Sequence, residues 1–112
     1  MSASPADTAP RVVLSACKRR AEAEKIGRAL VAERLAACVN IVPAVRSIYQ
    51  WKGSVHEGNE VLLVIKTTRG RFPALAARLA ALHSYEVPEI LALDADGGAE
   101  SYLAWLAGSV TD

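Results

Sequence analysis

The stretch Leu35–Thr67, LAACVNIVPAVRSIYQWKGSVHEGNEVLLVIKT, decides the fold because it predicts two long extended segments that meet at a Gly53-Ser54 turn. Its second arm contains VLLVI at residues 61–65, which is apolar at every position. Successive side chains of a strand point to opposite faces, so this strand places apolar side chains on both faces of its sheet. Both faces therefore need to be covered.

The predicted hairpin is too long for a chain of 112 residues. Each arm of about 14 residues extends about 46 Å at roughly 3.3 Å per residue, whereas a globule of this size is only about 34 Å across. We expect the hairpin to protrude and its aromatic tip to need a partner. Pro43 lacks an amide hydrogen and so indicates a bulge or an edge position in the first arm.

The remaining chain supplies two more strands and three helices. The predicted order is β-α-β-β-α-β plus a short C-terminal helix, which is an α+β, ferredoxin-like (split βαβ) sandwich with a long protruding hairpin. Both long helices then cover one face of a four-stranded sheet, and self-association covers the other. The elements outside the hairpin are predicted at residues 11–17, 21–37, 72–82, 87–93 and 101–106.

Composition fits one domain, and it gives no electrostatic reason to expect nucleic acid or a membrane as a partner. The chain is 52% hydrophobic with a formal net charge of +1, and no apolar run approaches the roughly 20 residues of a membrane span. Residues 1–9 are polar and read as a disordered tail without a secretory signal, so residues 10–112 form the single domain. Two cysteines are too few for a disulfide framework, and we expect a cytoplasmic protein.

The topology places Cys17 and His83 at one end of the domain, beside Tyr85 and Glu86, and Lys66 at the other end. Thiolate and imidazole suit copper or zinc, so the pair is a candidate metal site. The alternative is a partly buried thiol and a connector histidine that is hydrogen-bonded to the backbone. The sequence contains no nucleotide-binding, zinc-protease or nucleophile-elbow motif, and we expect no catalysis.

Four sequence blocks, in order and at these separations, resemble the CutA divalent-cation-tolerance family. They read LAACVNIVPAVRSIYQWKGSV, NEVLLVIKTT, HSYEVPEIL and YLAWLAGSV. The resemblance implies a ferredoxin-like homotrimer joined by its hairpins, a cytoplasmic location, and binding of copper and other divalent metal ions. It also implies a shape akin to PII-type signalling trimers and no established reaction.

The metal-binding positions of the family carry over to Cys17 and His83 with two departures. The cysteine lies about two residues later than in the family, where Ser15 stands instead, and the family's HPY-like block reads His83-Ser84-Tyr85. The resemblance therefore implies a copper site with a single histidine.

The leading hypothesis is a homotrimeric, copper-binding metal-tolerance protein whose interface includes Tyr49, Trp51, Leu62 and Val64. Packing is also the first interpretation of the aromatic side chains. One alternative is a PII-like trimer that binds a small anion or nucleotide in a cleft between subunits, and another is a trimeric scaffold for a partner protein. The ligand candidates in such a cleft are Trp51, Lys66, Tyr85 and Glu86, with Arg46 or Lys52 as further phosphate contacts.

Overall fold

The computed structural model describes residues 7–110 and has the predicted α+β, ferredoxin-like architecture. Two helices pack on a four-stranded antiparallel sheet, and a third helix follows the last strand. The elements are β1 (Pro10–Cys17), α1 (Arg20–Ala32), β2 (Cys38–Trp51), β3 (Ser54–Thr68), α2 (Phe72–Leu82), β4 (Leu91–Asp94) and α3 (Glu100–Ser109).

The strand order of the sheet is β2-β3-β1-β4, with every neighbouring pair antiparallel. β2 is an edge strand, and its register against β3 shifts between Val42 and Val45, around Pro43. The missing amide hydrogen of this proline is tolerated there because an edge strand with a bulge does not need every ladder donor. Both sequence indications for Pro43, the edge and the bulge, are confirmed.

The hairpin turns at Lys52-Gly53, one residue earlier than the Gly53-Ser54 turn predicted from the sequence. Trp51 pairs directly with Ser54, and the two residues between them have positive φ angles of 51° and 82°. Positive φ at both central residues is typical of a type I′ turn, which matches the twist of the flanking strands. The chain measures 47 × 25 × 22 Å, so the hairpin does protrude as expected.

The core lies between the sheet and helices α1 and α2. Alternate residues of β3 are buried on this side, and the side chains of Ile26, Leu30, Leu75 and Leu79 pack against them. Burying such a side chain contributes about 1.5–3 kcal/mol, so this layer holds the domain together. The buried β3 residues are Val61, Leu63 and Ile65.

We call the opposite side of the sheet the open face. Leu62 and Val64 point to it and are only half-buried. Leu91 and Leu93 of β4 pair with β1 residues of the same face and are 56% and 46% exposed. Helix α3 packs on β3 and β1, and its buried residue Leu106 lies outside the main core cluster. The single chain therefore leaves several apolar side chains of the open face in contact with solvent.

Helix α1 ends at Ala32, five residues before the predicted end. Arg34 adopts a left-handed backbone with φ of 60°, and the amide of Leu35 donates to the carbonyl of Leu30. The Arg34 amide also donates to the carbonyl of Val31. These are the two hydrogen bonds of a Schellman motif. The sequence prediction was wrong because this motif normally carries glycine at the position that Arg34 occupies.

The last strand and helix are displaced from their predicted bounds. β4 covers Leu91–Asp94 instead of residues 87–93, and α3 covers Glu100–Ser109 instead of residues 101–106. At the other end, most of the predicted tail lies outside the described residues. Asp7 and Ala9 are placed, and their carbonyls accept hydrogen bonds from the amides of the β3–α2 turn.

Two buried hydroxyl groups predict opposite effects of mutation on stability. The Thr67 hydroxyl donates to the Leu35 carbonyl at 2.7 Å, whereas the Ser15 hydroxyl has no hydrogen-bond partner among residues 7–110. We expect Thr67→Val to lower the free energy of unfolding by about 1–2 kcal/mol, and Ser15→Ala to leave it unchanged or raise it by up to about 1 kcal/mol. Urea denaturation at one protein concentration measures both, and a larger loss for Ser15→Ala would contradict this account.

Candidate functional site

An open groove of about 790 Å³ lies where β1 ends, between the hairpin stem and the α2–β4 connection. Three of the four predicted ligand candidates line it. The fourth, Lys66, does not, because it pairs with Cys38 at the opposite end of the hairpin from the turn. The groove-lining residues are Ala16, Arg46, Ser47, Ile48, Tyr49, Trp51, Glu60, Ser84, Tyr85, Glu86, Val87 and Glu89.

His83 fixes the start of the α2–β4 connection to the end of β1. Its Nε2–H donates to the carbonyl of Ala16 at 2.8 Å, and its Nδ1 accepts from the amide of Tyr85 at 3.1 Å. A carbonyl can only accept and an amide N–H can only donate, so the proton lies on Nε2. Both ring nitrogens of this buried histidine are therefore occupied.

Two carboxylates hold the next part of the connection. The Tyr85 hydroxyl donates to Glu60 Oε2 at 2.7 Å, and the Ser84 amide donates to Glu22 Oε2 at 2.8 Å. The Tyr85 ring also packs on the His83 ring with centroids 4.7 Å apart. Burial, followed by the hydrogen bond to Glu60, raises the pKa of Tyr85 above its usual range, so the phenol remains a donor.

Cys17 lies at the same end of the domain as His83, as the topology predicted. His83 bonds to the residue that precedes Cys17 in β1. The thiol is buried and donates to the carbonyl of Arg19 at 3.6 Å. Burial is the main cause that raises the pKa of Cys17 to about 11, and the negative charge of Glu22 adds to it. The sulfur is thus a protonated thiol at neutral pH.

These contacts match the non-metal alternative, a buried thiol and a backbone-bonded histidine. Within residues 7–110, no group of three or more histidine, cysteine, aspartate or glutamate side chains is arranged to hold a metal ion. The assignment of a metal to Cys17 and His83 stays a prediction. Cys17 and His83 do lie at the same end of the domain.

The hairpin tip presents aromatic side chains to solvent. Tyr49 stacks on His56 across the hairpin, with ring centroids 5.6 Å apart and planes at 17°. The Trp51 ring lies 5.7 Å from the ammonium group of Lys52 and is 38% exposed. The tip therefore keeps its rings available to another molecule.

The hydrogen bonds that the carboxylates of Glu22 and Glu60 accept were not predicted from the sequence. Glu22 and Glu60 are far from Ser84 and Tyr85 in the chain, and no spacing rule connects them. Glu60 directly precedes the apolar run 61–65 of β3, but its hydrogen-bond partner Tyr85 lies in a connection without regular structure. The only sequence signal for these contacts was the spacing of Tyr85, two residues after His83.

Comparison with known proteins gives a consistent result. The family model described as CutA1 divalent ion tolerance protein matches residues 11–109. The "Divalent-cation tolerance protein CutA" of Thermus thermophilus is 54% identical over 95 residues, which are 85% of this chain and 92% of that protein. "Protein CutA, chloroplastic" of Arabidopsis thaliana is 43% identical over 91% of this chain, which spans only 57% of that protein.

A solved structure agrees with the fold. The structure of the divalent cation tolerance protein (Cut A1) from Thermus thermophilus superposes with a TM-score of 0.89 at 50% identity. The superposition covers 91% of this chain and 99% of that one. In the described range, no helix is long and apolar enough to cross a membrane.

The raised pKa of Cys17 predicts slow alkylation in the folded protein. A pKa near 11 in place of 9.0 leaves about a hundredfold less thiolate at pH 7.5. We expect Cys17 in the Cys38→Ser variant to react with iodoacetamide at least a hundredfold more slowly when folded than in guanidinium chloride. Its folded-state rate should rise with pH until about 11.

Equal rates in the folded and unfolded states would show that Cys17 is neither buried nor shifted. The Cys17→Ser variant, which retains the partly exposed Cys38, is the matched control for the chemistry of the reagent.

Proposed function

Because this chain belongs to the CutA1 divalent ion tolerance family, we propose that it is a homotrimer that binds divalent metal ions, copper among them, and contributes to metal-ion tolerance without catalysing a reaction. We further propose that it acts in the cytoplasm, as its cysteine content suggests. The Arabidopsis relative is named chloroplastic, so membership of the family does not by itself fix the compartment.

The main support for the proposed assembly is that one chain leaves apolar side chains uncovered. Leu62 and Val64 remain half-buried on the open face, while Ile48 and Val55 at the hairpin tip are 66% and 67% exposed. Patches of this kind mark interfaces in stable proteins. Further copies of the same chain are the partner that is always present.

A ring of three explains why both sides of the hairpin are apolar. Ile48 and Val55 point to one side of the hairpin and Tyr49 to the other, because paired strand residues share a face. In a cyclic trimer each subunit has two different neighbours, and one neighbour can cover each side. A two-fold dimer would leave one of these sides in water.

The proposed copper site at Cys17 and His83 has two energetic costs. The Cys17 thiol must lose its proton, and His83 Nδ1 must release the Tyr85 amide. We therefore propose weak and exchangeable binding, with further ligands from solvent or from another subunit. Because the bound sulfur is a thiolate, affinity should increase as pH rises towards 11.

The PII-like alternative has weaker support from the charges in the groove. The lining includes three carboxylates and one cationic side chain, that of Arg46, which lies 3.7 Å from Glu57. Lys66 lies at the other end of the strand pair, and Lys52 is beside Trp51 at the turn. An anion or nucleotide would meet a net negative surface. The scaffold alternative has no specific contact that favours it.

The trimer proposal predicts that a charge on the open face disrupts assembly. We expect Leu62→Glu to reduce the mass in sedimentation equilibrium at micromolar concentration from three times 11.9 kDa to 11.9 kDa, because an unpaired carboxylate in a dry interface costs several kcal/mol. Val31→Glu places the same charge at an exposed position of α1 and is the control. A wild-type monomer would contradict the proposal.

Copper binding can be tested by comparing variants of the chain's two cysteines and of its two histidines. Isothermal titration with Cu²⁺ should show at least tenfold weaker binding for Cys17→Ser and for His83→Ala, since each removes one of two ligands. Cys38→Ser and His56→Ala should bind as the wild type does. Equal affinities for all five proteins would mean that Cys17 and His83 have a structural role only.

A further inference from the structure

Arg34 holds an unfavourable backbone conformation just after the end of α1. Its φ angle is 60°, and Lys52 is the other non-glycine residue of the described chain with a positive φ angle. The left-handed region is unfavourable for a residue with a side chain, whereas glycine adopts it readily. Arginine in a position that suits glycine indicates that its side chain has a role.

The Arg34 side chain reaches the C-terminal helix. Its Nη2 donates a hydrogen bond to the carbonyl of Gly108, near the end of α3, at 3.2 Å. The backbone carbonyl of Arg34 accepts from Nε of Arg71 in the β3–α2 turn at 3.3 Å. Carbonyls in the last turn of a helix have no partner within the helix, and the negative end of the helix dipole attracts a cation. Arg34 therefore joins α3 to the end of α1.

Helix α3 is anchored to the sheet by little buried surface. Leu106 is the one buried residue among its ten, and buried Val110 follows directly after the helix. Neither residue belongs to the core cluster between the sheet and helices α1 and α2. The residue before the helix, Ala99, has no side chain that could cap it with a hydrogen bond. An element with so few buried contacts opens at a lower free energy than the core does.

Two glycines join β4 to α3. Gly97 has open space where a side chain would lie, and a Cβ on Gly98 would approach the side chain of Leu103 at 3.3 Å. The backbone dihedral angles of glycine change at low cost, which suits a hinge. The hinge lies before the start of α3 and the Arg34 contact lies near its end. The helix can therefore leave the sheet as one unit once the contact with Arg34 breaks.

We propose that α3 opens about Gly97 and Gly98, and that the guanidinium of Arg34 is the latch that keeps it closed. The latch explains why arginine occupies a left-handed position where glycine would be less strained. Because α3 packs on β3 and β1, opening exposes part of the surface of these strands. An effect of opening on assembly rests on the proposed trimer, whereas the latch itself is a property of one chain.

The test is amide hydrogen exchange of the full-length protein, measured by mass spectrometry. Arg34→Gly removes the guanidinium but retains the left-handed backbone and the carbonyl that accepts from Arg71. We expect the amides of α3 to exchange about five- to tenfold faster than in the wild type, since an exposed hydrogen bond from a charged group is lost. The sheet and α1 should exchange no faster, because glycine suits this backbone conformation.

Lys52→Gly is the matched control, because it also replaces a long cationic residue at a left-handed position. The ammonium group of Lys52 lies over the Trp51 ring, so this variant should leave the exchange of α3 unchanged. Three results overturn the proposal. These are wild-type exchange of α3 in Arg34→Gly, equal acceleration of α3 in both variants, and acceleration throughout the sheet and all helices in Arg34→Gly.

Sedimentation of the same samples separates the latch from the proposed trimer. A monomeric wild type contradicts the trimer, whereas the latch is judged by the exchange of α3 in the two variants at one protein concentration.

Discussion

The constraint on which the structure depends is that β3 is apolar on both of its faces. Val61, Leu63 and Ile65 are buried under the two long helices, whereas Leu62 and Val64 point to the open face and stay half-buried. The two long helices cover only one side of the sheet, and the short helix α3 leaves Leu91 and Leu93 of the open face exposed. The hairpin extends beyond the helices and exposes the apolar side chains of Ile48 and Val55 near its tip. Membership of the CutA1 family places this domain among divalent ion tolerance proteins.

The groove forms because hydrogen bonds hold the α2–β4 connection against the end of β1 and the hairpin stem. His83 joins the connection to β1, and the hydrogen bond between Tyr85 and Glu60 joins it to the hairpin stem. The same bonds that build the groove occupy the two nitrogens of the histidine. Structural and metal-binding roles of His83 therefore compete for one ring, which is why copper binding is proposed as weak.

Much of the fold could be predicted because it follows from periodicity. The two-faced pattern of β3 and the element predicted at residues 72–82 were confirmed, as was the edge position of Pro43. The end of α1 was not predictable, because Arg34 adopts the left-handed backbone that usually calls for glycine. The site was predicted only in part, since the contacts of Tyr85 with Glu60 and of Ser84 with Glu22 join distant parts of the chain.

Amide hydrogen exchange at the hairpin tip tests the central claim, that one chain is an incomplete unit. β1 pairs with β3 only from Val61 onward within residues 7–110, so the segment 54–60 has one unpaired edge in the isolated chain. The account predicts that native protein protects the amides of this segment at micromolar concentration, and that protection falls when the chain is diluted below its association range. Exchange of the outward-facing amides at the rate of an unstructured peptide in concentrated native protein would contradict it.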